Sequence, residues 1–106
     1  MNILLDECVP WPRHKFRAGH QGATAQQNGW GRIKNGELLR LAETEFDRFI
    51  TSDQNIRCQQ NLAGRKIAIL ELATNDYRRI RAAAELIQSA VADIQPREFR
   101  RWEIPI

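Results

Sequence analysis

Short apolar runs alternate along this chain with longer segments of helical periodicity. The clearest runs lie at residues 3–5, 48–51 and 66–72. Between and after them, apolar residues recur three or four positions apart, as on one face of a helix. Strands that alternate with helices are joined by right-handed crossovers and form a mostly parallel sheet with helices on both faces. The pattern therefore predicts an α/β fold.

The predicted elements follow the order β-α-β-α-β-α-β-α-β. Two weaker strands are predicted at residues 22–25 and 98–104, the second at an edge of the sheet. Helices are predicted at residues 10–18, 36–45 and 55–62, and a single long helix from its Asp76 cap to Pro96. Proline ends a helix because it lacks the backbone donor that the next turn needs.

The length and composition indicate one domain over residues 1–106. Hydrophobic residues make up 42% of the chain, enough for a packed core. No apolar run approaches the ~20 residues of a membrane span, and the first residues do not have the pattern of a signal peptide. Cys8 and Cys58 show neither metal-ligand spacing nor a disulfide framework, so we expect reduced thiols in a cytoplasmic protein.

The charge is mildly basic, with 16 Lys and Arg against 13 Asp and Glu, and most of the basic residues are arginine. Arginine binds phosphate and carboxylate through two parallel hydrogen bonds, which favours a nucleic acid or an acidic protein as partner. Arg78, Arg79 and Arg81 open the last long helix. Such a run is usually a solvated face, but it is also able to neutralise phosphates.

Acidic residues follow two of the predicted strands and begin one predicted helix. Asp6 and Glu7 follow the first strand, Asp53 follows the strand at residues 48–51, and Glu37 begins a helix. In an open α/β sheet, ligands bind beyond the carboxyl ends of the strands. Carboxylates gathered there repel one another unless a cation compensates, and oxygen ligands suit Mg²⁺ or Mn²⁺. The sequence therefore predicts a divalent-metal site.

Each acid also has a simpler explanation. Glu37 in a first helical turn stabilises the helix dipole, and Asp53 can cap the helix that follows it. Asp6 is harder to explain this way, because a carboxylate at the end of a buried strand is costly unless it is used. Glu7 is a weaker candidate, since neighbouring strand residues point to opposite faces.

Four stretches spread over most of the chain carry a family resemblance. They are ILLDECVP at 3–10, GWG at 29–31 with KNGELL at 34–39, FITSDQN at 49–55 with QQNL at 59–62, and LATND at 72–76. In order and spacing they resemble the PIN-like family of small predicted ribonucleases, known as toxin components of type II toxin–antitoxin systems. The resemblance implies a three-layer α/β/α sandwich, metal-dependent cleavage of RNA, inhibition by a cognate antitoxin, and a homodimer.

The resemblance also assigns roles to residues. Asp6, Glu37 and Asp53 match the first, second and third acids of the PIN pattern, as catalytic residues and ligands of Mg²⁺ or Mn²⁺. The fourth acid has no clear counterpart; Asp76 is nearest in order and is equally explained as a helix cap. The remaining predicted contacts to the RNA substrate are Ser52, Asn55, Arg57, Gln59 and, from its charge, Arg78.

Two other functions are consistent with the same acids. In a phosphorelay receiver domain, Asp53 would be the phosphoacceptor beside a bound Mg²⁺. Receivers usually carry a Met-Pro pair soon after that residue and a lysine after the last strand, whereas here Gln54 and Asn55 follow and no lysine occurs after Lys66. A PIN-like module that binds RNA or protein without turnover is the other alternative, and the missing fourth acid favours it.

Overall fold

The computed structural model of this chain describes residues 2–6, 9, 21–24, 29–30, 33, 35–52, 67–95 and 98–102. Within these ranges the strands are β1 (Asn2–Leu5), β2 (Gln21–Thr24), β3 (Arg48–Thr51), β4 (Ala68–Leu72) and β5 (Phe99–Trp102). The helices are α1 (Asn35–Glu45), α2 (Tyr77–Ala82) and α3 (Ala84–Asp93). The helices predicted at 10–18 and 55–62 lie outside the described residues.

The five described strands form one parallel sheet in the order β2-β1-β3-β4-β5. The predicted α/β class and parallel sheet are confirmed, and β5 lies at an edge as expected. The chain moves from β1 to β2 on one side and then places β3 on the other side of β1. Such a reversal is a topological switch point, where the crossovers on the two sides separate and leave a crevice at the carboxyl ends of the strands. Here the switch point lies between β1 and β3.

One face of the sheet packs against α1. Successive side chains of a strand point to opposite faces of the sheet, so every second residue contributes to this face. The fully buried residues that meet here are Leu4, Phe49 and Ile69 from the strands, and Leu38, Leu39 and Ala42 from α1. Burial of this stripe holds the start of α1 close to the carboxyl edge of the sheet.

The opposite face packs against α2 and α3. Its buried residues include Ile3, Leu5, Ile50 and Leu70 from the strands, and Ile80, Ile87 and Val91 from the helices. Arg48 of β3 reinforces this packing, since its Nε donates to the Val91 carbonyl at 3.1 Å and its Nη2 to the Ile94 carbonyl at 2.8 Å. Val91 lies in the last turn of α3 and Ile94 is its C-cap, where helix carbonyls have no intrahelical donor.

The prediction of one long helix after Asp76 is wrong, because the helix is interrupted at Ala83. Ala83 has φ −102° and ψ 10°, outside the helical region. Its N–H donates to the Arg79 carbonyl and closes α2, while its own carbonyl accepts from Ile87 N in the first turn of α3. Neither proline nor glycine marks the break. The buried stripe from Ile80 to Ile87 continues through it, so the periodicity alone indicates a continuous helix.

Candidate functional site

The switch point places Asp6 beside the end of β3. Asp6 directly follows β1, and its N–H donates to the Ile50 carbonyl at 2.9 Å, which extends the pairing of β1 with β3 by one residue. Its carbonyl accepts from the Val9 N–H at 3.0 Å, where the chain turns away from the sheet. The backbone of Asp6 is therefore held on both sides, at the position where open α/β sheets bind their ligands.

The Asp6 side chain is buried and held by a neighbouring hydroxyl. Only 6% of Asp6 is exposed, and Thr51, the last residue of β3, is completely buried. Thr51 Oγ1 donates to Asp6 Oδ2 at 2.8 Å. Hydrogen bonds to a carboxylate are stronger than those between neutral groups, so Thr51 orients the carboxylate at the switch point.

The polar row continues across the sheet from Thr51. Thr51 is paired with Glu71 of β4, and Glu71 is paired with Arg101 of β5. Residues paired in a parallel sheet point to the same face, so Asp6, Thr51, Glu71 and Arg101 share the face that α1 covers. Glu71 is completely buried, and Arg101 Nε lies 3.6 Å from its Oε2. We call these four residues the edge row.

The sequence patterns did not mark Thr51, Glu71 or Arg101 as site residues. One signal for Glu71 was present, because a carboxylate inside the apolar run at residues 66–72 is unexpected in a buried strand. Glu71 also shares its face with Ile69, two residues earlier, and not with its direct neighbours. The sequence gives no such signal for Arg101, the partner of Glu71, since only the register of β4 with β5 brings the two residues together.

Glu37 lies in the first turn of α1, as predicted, and is largely exposed. Its Oε1 accepts from Arg40 Nη2 at 3.0 Å, and 60% of the Glu37 side chain contacts solvent. An exposed ion pair at this spacing contributes little to stability. An acidic side chain in the first turn also interacts favourably with the helix dipole. The structure therefore leaves Glu37 on the surface at the start of α1.

The structure describes only part of the predicted metal cluster. Asp53, Asn55, Arg57 and Gln59 lie outside the described residues. Within the described ranges, no three His, Cys, Asp or Glu side chains are grouped closely enough to hold a metal ion. The cluster of Asp6, Glu37 and Asp53 therefore stays a prediction. The donor set fits a hard cation, because all three side chains offer carboxylate oxygens.

The other predicted site residues have clear positions. Asp76 is the N-cap of α2, since its Oδ1 accepts from the backbone N–H of Arg78 at 2.9 Å and of Arg79 at 3.4 Å. This supports the cap explanation for Asp76. Ser52 follows Thr51 and is half-buried, and Arg78 is exposed at the start of α2.

A second group of ion pairs, centred on Arg100, lies on the face of β5 opposite the edge row. Arg100 pairs with Asp93 of α3 at 3.1 Å and with Glu98 at 2.8 Å. The backbone N–H of Gln95 and the Arg100 side chain donate to Glu98 and lower the pKa of its carboxyl group. The same carboxylates, Asp93 first, raise the pKa of Arg100.

We compared the chain with protein-family models, curated proteins and solved structures, and none of these comparisons found a match. In the part of the chain that the structure describes, no helix has the length and apolar character needed to cross a membrane. The residues and geometry of the edge row, together with the resemblance described above, are therefore the basis for a function.

Proposed function

We propose that this chain is a metal-dependent endoribonuclease with a three-layer PIN-like fold, and that it is the toxin of a type II toxin–antitoxin pair. The observation that carries the proposal is the buried Asp6 carboxylate, held by Thr51 at the switch point of the sheet. A buried carboxylate is costly to maintain without a use. Open α/β sheets bind ligands at the switch point, so binding of a ligand by Asp6 is the simplest reason for a carboxylate there.

In this proposal Asp6, Glu37 and Asp53 hold Mg²⁺ or Mn²⁺. The bound ion would lower the pKa of a water molecule and neutralise charge on the scissile phosphate. Thr51 fixes the orientation of Asp6 through its 2.8 Å hydrogen bond, and so limits the directions from which a cation is bound. The residues proposed to contact the RNA are Ser52, Asn55, Arg57, Gln59 and Arg78.

The test is cleavage of RNA by the purified protein in Mn²⁺, with and without the Asp6→Asn substitution. We expect cleavage by the wild-type chain, loss of cleavage with excess chelator, and roughly a hundredfold slower cleavage by Asp6→Asn. Asp47→Asn is the matched control, because Asp47 is exposed at the amino end of β3, on the opposite edge of the sheet. Equal cleavage by wild type and Asp6→Asn would indicate a contaminating nuclease and contradict the assignment.

The partners follow from the same proposal. A cytoplasmic toxin needs a cognate antitoxin, and a gene for a small protein directly beside this one, whose product binds this chain and stops cleavage, would support it. We also propose a homodimer, which gel filtration tests directly. Elution at the monomer mass over a wide concentration range would contradict the dimer without affecting the nuclease assignment.

The strand order favours one second candidate, a phosphorelay receiver domain. The order β2-β1-β3-β4-β5 is that of flavodoxin-like folds, which include receivers and bind ligands at the same switch point. A shared strand order does not establish a shared function. Stable labelling of Asp53 by a small phosphodonor, lost in Asp53→Asn, would favour the receiver.

RNA binding without cleavage in any divalent metal would instead indicate a PIN-like binding module.

A further inference from the structure

A buried ion pair, Glu71 with Arg101, lies beside the proposed catalytic residues and has no part in the proposed reaction. Glu71 is completely buried in β4, between β3 and β5. A carboxylate in such a position is costly to desolvate and is kept only where a cation compensates it. Among the described residues, Arg101 supplies such a cation, with 3.6 Å between its Nε and Glu71 Oε2.

The two ends of this pair are in very different surroundings. The carboxylate is enclosed, but 40% of the Arg101 side chain is exposed to solvent. Nε is one of five N–H donors in the guanidinium group, and the other four are on the two terminal nitrogens. Glu71 therefore holds Arg101 at the Nε end of the guanidinium group. The Arg101 side chain also reaches the surface.

The register of the sheet places this arginine in line with Asp6. Asp6, Thr51, Glu71 and Arg101 occupy one row across four neighbouring strands, and all four point to the same face. Neighbouring strands are about 4.8 Å apart, so the Cα atoms of Asp6 and Arg101 are separated by three such steps, roughly 14 Å. An extended RNA strand along the carboxyl edge would therefore pass both residues.

We propose that Arg101 binds a phosphate group of single-stranded RNA that flanks the phosphate at Asp6, and that Glu71 is the residue that positions it. The inference rests on the proposed ribonuclease function, since it assumes that RNA crosses this edge. Arginine suits the role because its planar fork donates two hydrogen bonds to a phosphate. A buried carboxylate behind the fork holds it in one orientation before the RNA arrives.

The test measures binding of dye-labelled single-stranded RNA by fluorescence anisotropy over a series of salt concentrations. It uses the Asp6→Asn chain, so that no RNA is cut. Replacing Arg101 alone would remove a cation from beside the buried Glu71 carboxylate, so the variant is the double substitution Glu71→Gln with Arg101→Gln. Thermal melting of this variant confirms that it is folded.

One fewer phosphate contact to a single strand makes the slope of log K against log salt less steep by about 0.7. If both chains bind RNA equally at 1 M salt, this change in slope makes the double variant bind roughly fivefold more weakly at 0.1 M salt. Arg101→Lys should restore most of the slope, because it keeps the charge. Arg100→Gln is the matched control: Arg100 is the neighbouring residue of β5 but pairs with Asp93 on the opposite face, so its slope should equal that of the parent chain.

An unchanged slope in the double variant would overturn the inference, as would an equal loss in Arg100→Gln or no RNA binding by the parent chain. Cleavage by the otherwise wild-type chain is measured separately. Cleavage that depends on Asp6, together with an unchanged slope, would reject only the role of Arg101. A reduced slope without any cleavage would reject only the nuclease.

Discussion

Replacing Thr51 with valine tests whether the Asp6 carboxylate depends on its hydroxyl partner. The substitution removes a 2.8 Å hydrogen bond between two buried side chains and keeps the shape of the residue. A hydrogen bond to a charged group contributes about 1.5–3 kcal/mol to stability. The methyl group that valine adds in its place returns about 0.8 kcal/mol. We therefore expect the free energy of unfolding to fall by about 1–2 kcal/mol.

Urea denaturation followed by circular dichroism measures this change. With a slope of about 1–3 kcal/mol per molar urea, the midpoint should fall by roughly 1 M. In a thermal scan of a domain near this size, the same loss lowers Tm by roughly 5–10 °C. The slope itself should not change, since valine leaves the surface exposed on unfolding nearly unaltered.

Two further substitutions separate the hydrogen bond from other effects. Thr51→Ser keeps the hydroxyl group and loses one buried methyl group, so we expect a smaller loss, about 1 kcal/mol. Thr44→Val removes a hydroxyl that donates to the Leu41 carbonyl at 2.7 Å on the exposed surface of α1, and it should change stability by less than about 0.5 kcal/mol. Wild-type stability in Thr51→Val, or an equal loss in Thr44→Val, would refute the argument.

Two other predictions concern residues outside the edge row. Arg48→Met should lower the free energy of unfolding by about 1–3 kcal/mol, because the last carbonyls of α3 lose both side-chain donors; an unchanged urea midpoint would contradict this. The backbone of Gln95 and the side chain of Arg100 lower the pKa of Glu98 below its ordinary value of 4.5 in the folded state. The resulting stabilisation is fully present above that pH and is lost as the pH falls through the lower folded-state pKa. Arg100→Gln should therefore reduce Tm at neutral pH and have little effect at pH values below that pKa, whereas a constant difference at every pH would argue against the pair.

Local patterns were enough to predict most of the elements that the structure describes. The strand predicted at 48–51 matches β3, and the predicted edge strand contains β5. The predicted helix at 36–45 differs from α1 by one residue, which is within the usual variation of helix boundaries. These predictions succeed because strand and helix periodicities are set by which face of a short segment is buried. The break at Ala83 was missed for the same reason, since the buried face does not change there.

The sequence by itself determined that Asp6 ends a buried strand, because an apolar run followed at once by an acid is a local feature. Only the tertiary structure decided what surrounds that acid. Strand order places β3 beside β1, and the register then sets Thr51 against Asp6 and Arg101 against Glu71. The partners of each pair are far apart along the chain, and a shift of one residue in either register would turn a side chain to the opposite face. The candidate site is therefore a property of the assembled sheet, built on one carboxylate that the sequence already marked.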